Sequence, residues 1–422
     1  MTINRPRGTN DFLPQETSKW QKVENILRRL CRLYGFEEIR TPIFEETELF
    51  ARGVGNTSDI VQKEMYVFQD MGGRSLALRP EGTASVARAI LENKMQALTP
   101  PLKLYYLGPM FRSERPQAGR YHQFHQFGLE IFGSNSYLAD AEVISFAWDF
   151  YTSLGLNDLD LRLNSVGCPK CRPLHRSALQ EFLAPKKEQL CTTCRERFER
   201  NPLRILDCKS PDCQKLSEGA PVMLNQICPE CQEHFHKVRQ SLDKAGIPYI
   251  LDDRLVRGLD YYTKTAFEIQ IPAIGAQSAV CGGGRYDGLI EEFGGPTIPG
   301  VGFALGMERI FLAMKAQGLS YEEKPALDIF IATMGEEACD KAFTLAQELR
   351  QKGQSVQQDL LNRSLKSQLK TADKLGAKYV ILIGEEELQS GSYQVRDMAE
   401  SRQELVAAED IPSFFCGKLD KK

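Results

Sequence analysis

The sequence predicts an α+β fold. Antiparallel strands and helices form one body, a cysteine-rich module interrupts it, and a small α/β domain follows. Three observations carry this. Two runs rich in aromatic and branched residues, LKLYYLGPMFR (102–112) and FHQFGLEIFG (124–133), flank a basic loop and read as an antiparallel pair. Eight of the twelve cysteines fall within 64 residues. Beyond residue 326, strand-like and helix-like runs alternate, the pattern of a small domain with a partly parallel sheet.

The elements follow in order. Trp20, Val23, Leu27, Leu30 and Tyr34 repeat at spacings of three and four, which predicts a helix over 17–34, and Gly35 stands where a glycine ends a helix. Thr41-Pro42 starts an extended stretch, and a second helix follows Pro80 through ASVARAILENKM. After the strand pair, YLADAEVISFAWDFYTSLG reads as a helix ending at Gly155. Near Val166 cysteines and basic residues crowd in. Strand-like segments resume at 249–271, and GVGFALGMERIFLAM reads as a strand running into a helix. KPAL (324–327) reads as a linker. After it, LDIFIATM and KYVILIGE are strands, and ACDKAFTLAQELRQKG and SLKSQLKTADKLGA are helices. The expected division is 1–167 plus 248–323 as a catalytic domain, 168–247 as a Cys-rich insertion, and 326–422 as a terminal domain.

Composition narrows the function classes. The 422 residues are 42% hydrophobic and 26% charged, ordinary for a globular protein of about three domains. Lys and Arg number 53 against 56 acidic residues, a net charge of −3. That excludes a protein coated with positive charge for duplex binding, so any nucleic-acid contact comes from local basic patches. No window approaches 18 consecutive apolar residues, and MTINRPRGTNDFLPQ lacks the apolar core of a signal peptide. Both point to the cytoplasm and away from a membrane. In a reducing compartment, three CxxC pairs (Cys168/Cys171, Cys191/Cys194, Cys228/Cys231) and one wider pair (Cys208/Cys213) suggest metal before disulfides. Two knuckles supply four thiolates for tetrahedral zinc. The sequence does not pair the eight, and reduced, uncoordinated thiols are the alternative.

Several constellations offer chemistry. Gln126, Gly128 and Glu130 share one face of the second strand, and Tyr106, Gly108 and Arg112 one face of the first. Glycines flanked by polar groups make a floor on which a ligand lies close to the backbone. Arg112 and Glu130 otherwise form a buried ion pair between the strands. Arg115, Gln117 and Arg120 lie in the connecting loop, where they meet phosphates and base edges or simply solvent. Glu81, in LRPEGT, either binds an ammonium group or caps the following helix. RGLDYYT (257–263) gathers Arg257, Tyr261 and Tyr262, which a regular strand would not put on one face. CGGGRYDGL (281–289) is a phosphate-cradling loop or a tight turn, without the endings of the common nucleotide-binding loops. Arg309 stands in the first turn of a helix after Gly302, a place for an anion or a helix-start ion pair. The histidines have no serine or cysteine partner at a recognisable spacing, so no hydrolase triad is indicated.

Taken in order, these segments resemble the histidyl-tRNA synthetases, a class II aminoacyl-tRNA synthetase family, over essentially the whole chain. GFEEIRTPIFEETELF is similar to class motif 1, YYLGPMFRSERPQAGRYHQFHQFGLEIFG to motif 2 and GVGFALGMERI to motif 3. LVRGLDYYT and GGGRYDGL are similar to two segments peculiar to the histidyl family. The resemblance implies an antiparallel sheet flanked by helices, an inserted module, a C-terminal α/β anticodon-binding domain and a homodimer. It implies that histidine and ATP, with Mg2+, give histidyl-adenylate, and that histidine then passes to the 3′ end of tRNA(His). Glu81, Gly82 and Thr83, with Gln126, would hold the α-ammonium. Glu130 and Tyr262 would pair with the imidazole nitrogens, beside Tyr261 and Tyr286. Arg112, Arg120, Gly302 and Arg309 would hold ATP. Arg257, with Arg112 and Arg309, would be catalytic, and Arg115 and Gln117 would meet the acceptor end of the tRNA. Two rivals are a regulatory paralogue that binds histidine without charging tRNA, and a class II synthetase for another amino acid. The intact arginines and terminal domain argue against the first, RGLDYY and GGGRYDG against the second.

Overall fold

The computed structural model describes residues 3–55, 58–115, 119–319 and 327–419. They form two compact units, one running to Phe12 and from Lys22 to before residue 320, the other taking Leu13–Gln21 and the C-terminal part. Gln117 and residues 324–326 of the expected linker lie outside the described residues.

Helix α1 (Pro14–Tyr34) buries Val23, Leu27, Leu30 and Cys31. It closes at Gly35, whose φ is +73°, with the Phe36 amide donating to the Cys31 carbonyl at 2.8 Å. This is the glycine ending that the sequence predicts. Then come β1 (Glu37–Glu38), β2 (Phe44–Glu46), α2 (Thr47–Val54), a short helical turn at Ile60–Glu64, β3 (Val67–Gln69), β4 (Ser75–Leu78) and α3 (Thr83–Glu92). The pair β5 (Leu102–Phe111) and β6 (Gln123–Phe132) is antiparallel over its whole length, from Leu102 opposite Phe132 to Phe111 opposite Gln123. Arg112 lies just past the end of β5, so its side chain is not set by strand alternation. Next are α4 (Tyr137–Ser153) and β7 (Asp160–Ser165), then the insertion with α5 (Arg172–Leu183), α6 (Thr192–Arg200), α7 (Pro211–Leu216) and α8 (Pro229–Lys244). The chain returns through β8 (Ile250–Leu251), β9 (Thr263–Gln270), β10 (Ala279–Arg285), α9 (Leu289–Glu292), β11 (Gly300–Gly306) and α10 (Met307–Ala316).

These strands make one sheet of order β1-β5-β6-β11-β10-β9-β7-β8. Its interior pairs are antiparallel, and only the edge pairs β1–β5 and β7–β8 are parallel. Strand alternation sorts β6 into two faces. Phe127, Leu129 and Ile131 are buried, and Phe127 stacks on Phe146 of α4 with ring centroids 5.8 Å apart. Phe303 of β11 joins the same cluster. Gln126, Gly128 and Glu130 point to the opposite face, where the candidate site lies. A fully buried ion pair fastens α4 to the end of β10. Arg285 donates to both oxygens of Asp140, to Asp287 and to the carbonyls of Ser134 and Ser136. Among these contacts, His234 Nε2 lies 3.2 Å from Asp140 Oδ1.

Two expectations change here. RGLDYYT is not a strand: β9 begins only at Thr263, and the preceding residues turn. That bend is what brings Tyr262 and Arg257 to one side. The glycine run of CGGGRYDGL is neither a loop nor a turn, because Cys281–Arg285 pair with β9 on one side and β11 on the other; the chain turns only at Asp287–Gly288, before α9. A glycine run survives mid-sheet because close neighbours need the space. A Cβ at Gly282 would strike the Arg257 guanidinium, and one at Gly283 the Gly302 carbonyl.

The second unit holds β12 (Ile329–Thr333), α11 (Glu336–Gln351), β13 (Val356–Gln358), α12 (Leu365–Lys374), β14 (Tyr379–Ile383), α13 (Glu385–Ser390), β15 (Ser392–Asp397), β16 (Gln403–Ala407) and α14 (Ile411–Leu419). Its sheet order is β13-β12-β14-β15-β16, parallel in the first three strands and antiparallel in the last three. Ala338, Ala342, Leu345, Ala346 and Leu349 of α11 form an apolar stripe against Ile329, Ile331, Ile381 and Ile383. Among the described residues no helix is long and apolar enough to cross a membrane.

Candidate active site

The floor of the site is the face of β5, β6, β10 and β11 that carries Gln126, Gly128 and Glu130, opposite the cluster of Phe127, Phe146 and Phe303. Register sets its plan: Tyr106 is opposite Gly128, Gly108 opposite Gln126, Glu130 opposite Gly302, and Gly302 opposite Gly284. The glycines are needed where large side chains cross them. A Cβ at Gly128 or at Gly82 would collide with the Tyr106 ring, and one at Gly302 with the Glu130 carboxylate and the Leu129 carbonyl. Tyr261, Tyr262 and Tyr286 close one side, with Tyr261 and Tyr262 rings 4.8 Å apart and Tyr261 edge-on to Tyr286 at 5.5 Å.

Two carboxyl groups are buried in this cradle. Glu130 is 1% exposed. It accepts from Thr83 Oγ1 at 2.7 Å and from the Tyr286 hydroxyl. Burial pushes it up to about 8; those two hydroxyls pull it back and the nearby Glu81 pushes further. Glu81 is also raised, first by burial. Its oxygens accept from the amides of Thr83 at 2.7 Å and Ala84 at 2.9 Å, so in this structure it caps α3. Two buried carboxyls that resist ionisation form a place where a ligand bearing positive charge and N–H donors is stabilised.

Next to the cradle is a cleft of about 200 Å³ lined by Arg112, Glu114, Arg120, Gln126, Arg257, Glu268, Glu308 and Arg309, among others. Each arginine is held differently. Arg112 Nε donates to the Pro80 carbonyl at 2.9 Å, and its guanidinium lies over the Phe124 ring at 5.2 Å. It does not pair with Glu130, which removes the inter-strand ion pair as a reading. Arg120 donates to Glu114 at 2.7 Å. Arg257 Nη1 donates to Glu268 at 2.8 Å. Burial works against its charge, and Tyr262 and Glu268 more than offset that. Arg309, third residue of α10, donates to the Ala279 carbonyl. The neighbouring Glu308 accepts from the His125 amide at 2.9 Å, which ties the start of α10 to β6. Among the described residues the buried Arg257 Nε and Gln126 Oε1 have no hydrogen-bond partner, and buried groups of that kind point to a ligand or water.

The chain matches known proteins along nearly its whole length. The family model described as histidyl-tRNA synthetase matches residues 8–310, and an anticodon-binding domain model matches 328–417. The chain belongs to the histidyl-tRNA synthetase family. It is 56% identical over 415 residues to the histidine–tRNA ligase of Desulforamulus reducens, covering 98% of this chain and 99% of that one. It is 54% identical over 419 residues to that of Moorella thermoacetica, covering 99% of each. In structure it is similar to the apo histidyl-tRNA synthetase of S. aureus, with a TM-score of 0.85 and 40% identity over 98% of this chain and all of that one. The class II synthetase fold and the ligase class of enzyme follow from this membership.

In this synthetase, Glu81, Gly82, Thr83, Gln126, Glu130, Tyr261, Tyr262 and Tyr286 converge on the cradle, while Arg112, Arg120, Arg257 and Arg309 converge on the cleft. Arg115 is exposed beyond them. Three residues of the site were not singled out as site residues from the sequence: Glu268, which holds Arg257; Glu114, which holds Arg120 and lies 3.8 Å from Arg112; and Glu308. Strand parity places Glu268 with Ala266 and Gln270 on one face of β9, which was the available signal.

Away from the cleft, the eight insertion cysteines sort into two quartets, Cys168/Cys171/Cys228/Cys231 and Cys191/Cys194/Cys208/Cys213, each with its sulfurs within 4.8 Å of one another. None is in a disulfide. Both quartets are arranged to hold a metal ion. The sulfurs of Cys168 and Cys171, Cys168 and Cys228, Cys171 and Cys231, and Cys191 and Cys208 stand 3.4 to 3.9 Å apart. Four thiolates about 2.3 Å from a tetrahedral zinc stand about 3.8 Å apart.

Proposed function

We propose that the cradle holds L-histidine and the arginine cleft holds ATP, so that the amino-acid carboxylate reaches the α-phosphate between Arg112 and Arg257. The reaction is that of the family: the chain activates L-histidine with ATP to histidyl-adenylate and transfers histidine to the 3′ end of tRNA(His). Glu81, Gly82 and Thr83, with Gln126, take the α-ammonium. Glu130 and Tyr262 serve the two imidazole nitrogens, since that ring needs a partner on each, and Tyr261 and Tyr286 wall it in. Arg112, Arg120, Gly302 and Arg309 hold ATP. The carboxylate oxygen forms its bond to the α-phosphorus as the bond to pyrophosphate breaks. Arg112 and Arg257 meet the negative charge that gathers on the phosphoryl oxygens, and Arg309 meets the leaving pyrophosphate. The carboxylates of Glu268 and Glu308 in the same cleft are hard oxygen donors of the kind Mg2+ takes. When bound, Mg2+ supplies neutralisation of the phosphate tail.

The observation that carries this reading is the meeting of Gln126 and Arg257, each with an unsatisfied buried atom, at the boundary of a carboxyl-lined cradle and an arginine-lined cleft. Arg115 and Gln117 meet the tRNA acceptor end, while the terminal domain reads the anticodon. Histidine-dependent pyrophosphate exchange tests the assignment, with substitutions in the cradle expected to move the histidine KM and those in the cleft the ATP KM.

Two further parts of the reading concern assembly and metal. The chain is a homodimer in the cytoplasm. Phe44, Val67 and Phe68 are 52%, 51% and 42% exposed on the small β2-β4-β3 sheet, an apolar face next to the motif-1-like segment that a second copy would cover. The two cysteine quartets hold structural Zn2+. All donors are thiolates, so neither centre keeps an open position for catalysis.

A further inference from the structure

The two quartets do different work. Cys168, Cys171, Cys228 and Cys231 join the residues that leave β7 to the start of α8, and so close the base of the insertion. Cys191, Cys194, Cys208 and Cys213 instead bracket an arm, residues 195–207, that reaches out of the module. Three side chains of this arm end on acidic residues of the catalytic body. Arg197 and Arg204 both donate to Asp59 Oδ2, at 2.8 and 2.9 Å. Asn201 Nδ2 donates to Asp260 Oδ1 at 2.9 Å. Asp260 immediately precedes Tyr261 and Tyr262 of the histidine cradle. Asn201, Arg204, Arg257, Asp260 and Tyr262 line one cavity of about 500 Å³, so the arm and the segment 257–262 share a surface and not a single bond.

We infer that the second quartet is a metal centre that positions the histidine-binding segment from outside the catalytic sheet, through Asn201 and Asp260. This rests on the zinc reading of the quartets. The arm is only 13 residues between two ligand pairs and has no strand; its Phe198, Ile205 and Leu206 pack with Leu179, Leu183, Cys194 and Cys213 in one small core, so a cross-link within that core sets the reach of Asn201. Residues 257–262 turn without sheet pairing of their own. An anchor at Asp260 raises the fraction of molecules in which Tyr261 and Tyr262 close the cradle, and apparent histidine affinity scales with that fraction. ATP, held by Arg112 and Arg309 on other elements, does not depend on it. Asn201 and Asp260 are positioning residues, with no part in the chemical step.

The test uses the full-length protein and reads zinc per chain together with the KM values for histidine and ATP in pyrophosphate exchange. Wild type is expected to carry two zinc ions, the Cys208→Ser/Cys213→Ser variant one, and Asn201→Ala two. Both variants are expected to raise the histidine KM about tenfold, the worth of a lost hydrogen bond to a charged group, and to leave the ATP KM unchanged. Wild type without zinc overturns the metal reading. Two zinc ions with an unchanged histidine KM in Asn201→Ala overturns the coupling and leaves the metal reading intact. A fall in kcat alone, or an equal rise in both KM values, is what a merely structural arm gives, and overturns the coupling as well. Should the cysteine variant precipitate, Asn201→Ala with its full zinc load decides the question.

Discussion

Replacing Glu130 by glutamine should stabilise the protein and impair it as a histidine-binding enzyme. The carboxyl ordinarily titrates at 4.5, and burial holds it at about 8 in the folded protein. The folded state therefore keeps a proton that the unfolded chain has released. Stability falls as pH rises from about 4.5 toward about 8 and levels off above that. The gap is worth on the order of 5 kcal/mol when complete, and on the order of 3 kcal/mol is already spent at pH 7. Glutamine has the shape of the protonated acid. Its oxygen accepts from one of Thr83 and Tyr286, and the other hydroxyl rotates to accept from its NH2, so the hydrogen bonds survive. Wild type and Glu130→Gln should thus melt together near pH 5, and the variant should melt increasingly higher toward pH 9. Histidine binding moves the other way. The amide cannot become the carboxylate that meets an imidazole N–H, so the histidine KM rises about tenfold or more, the cost of a hydrogen bond to a charged group. Melting temperatures between pH 5 and 9, paired with KM at pH 7.5, check both halves. Parallel melting curves, or a variant that loses ground as pH rises, would show that Glu130 is ionised in the free protein and would refute this reasoning.

Arg257→Ala should lower adenylate formation by about 10²–10³-fold, the usual loss when one preorganised charge-stabilising group is removed, with nearly normal melting; exchange at the wild-type rate would remove Arg257 from the chemistry. Asp140→Asn leaves the buried Arg285 with only the partly exposed Asp287 as a carboxylate partner and should destabilise by about 3 kcal/mol, the low end for a broken buried pair, visible as a drop in urea midpoint, whereas an unchanged midpoint would mean that Asp287 alone compensates the charge. Light scattering at micromolar concentration should give the mass of a dimer, and Phe44→Glu with Phe68→Glu should give a monomer. A wild-type monomer contradicts the assignment of the β2-β4-β3 face.

What the sequence made legible was local. Apolar spacing gives α1 and its Gly35 ending, and alternation gives β5, β6 and the two faces of β6 that separate Phe127 from Gln126 and Glu130. The C-terminal alternation gives β12, α11, α12 and β14. Short elements such as β13, β15 and α13 were not read, because three to six residues carry too little periodicity. Segments governed by distant contacts were misread. The glycines of β10 look like a loop until Arg257 and Gly302 are seen to occupy the space that side chains would need. Residues 257–262 look strand-like, yet they turn. Glu81 offered two readings, ligand or cap, and in this structure both of its oxygens serve the start of α3. The eight cysteines announced metal, but their pairing spans 60 residues, from Cys168 to Cys228 and from Cys171 to Cys231, and spacing within each CxxC carries no information about that. Glu268 and Glu114 escaped notice because their role is to hold arginines that are themselves recognised by motif.

The most direct measurement is pyrophosphate exchange with purified protein, Mg-ATP and each of the twenty amino acids in turn. The account predicts exchange with histidine alone, lowered by about 10²–10³-fold in Arg257→Ala. Exchange with a different amino acid, or none at all from folded protein, would contradict it.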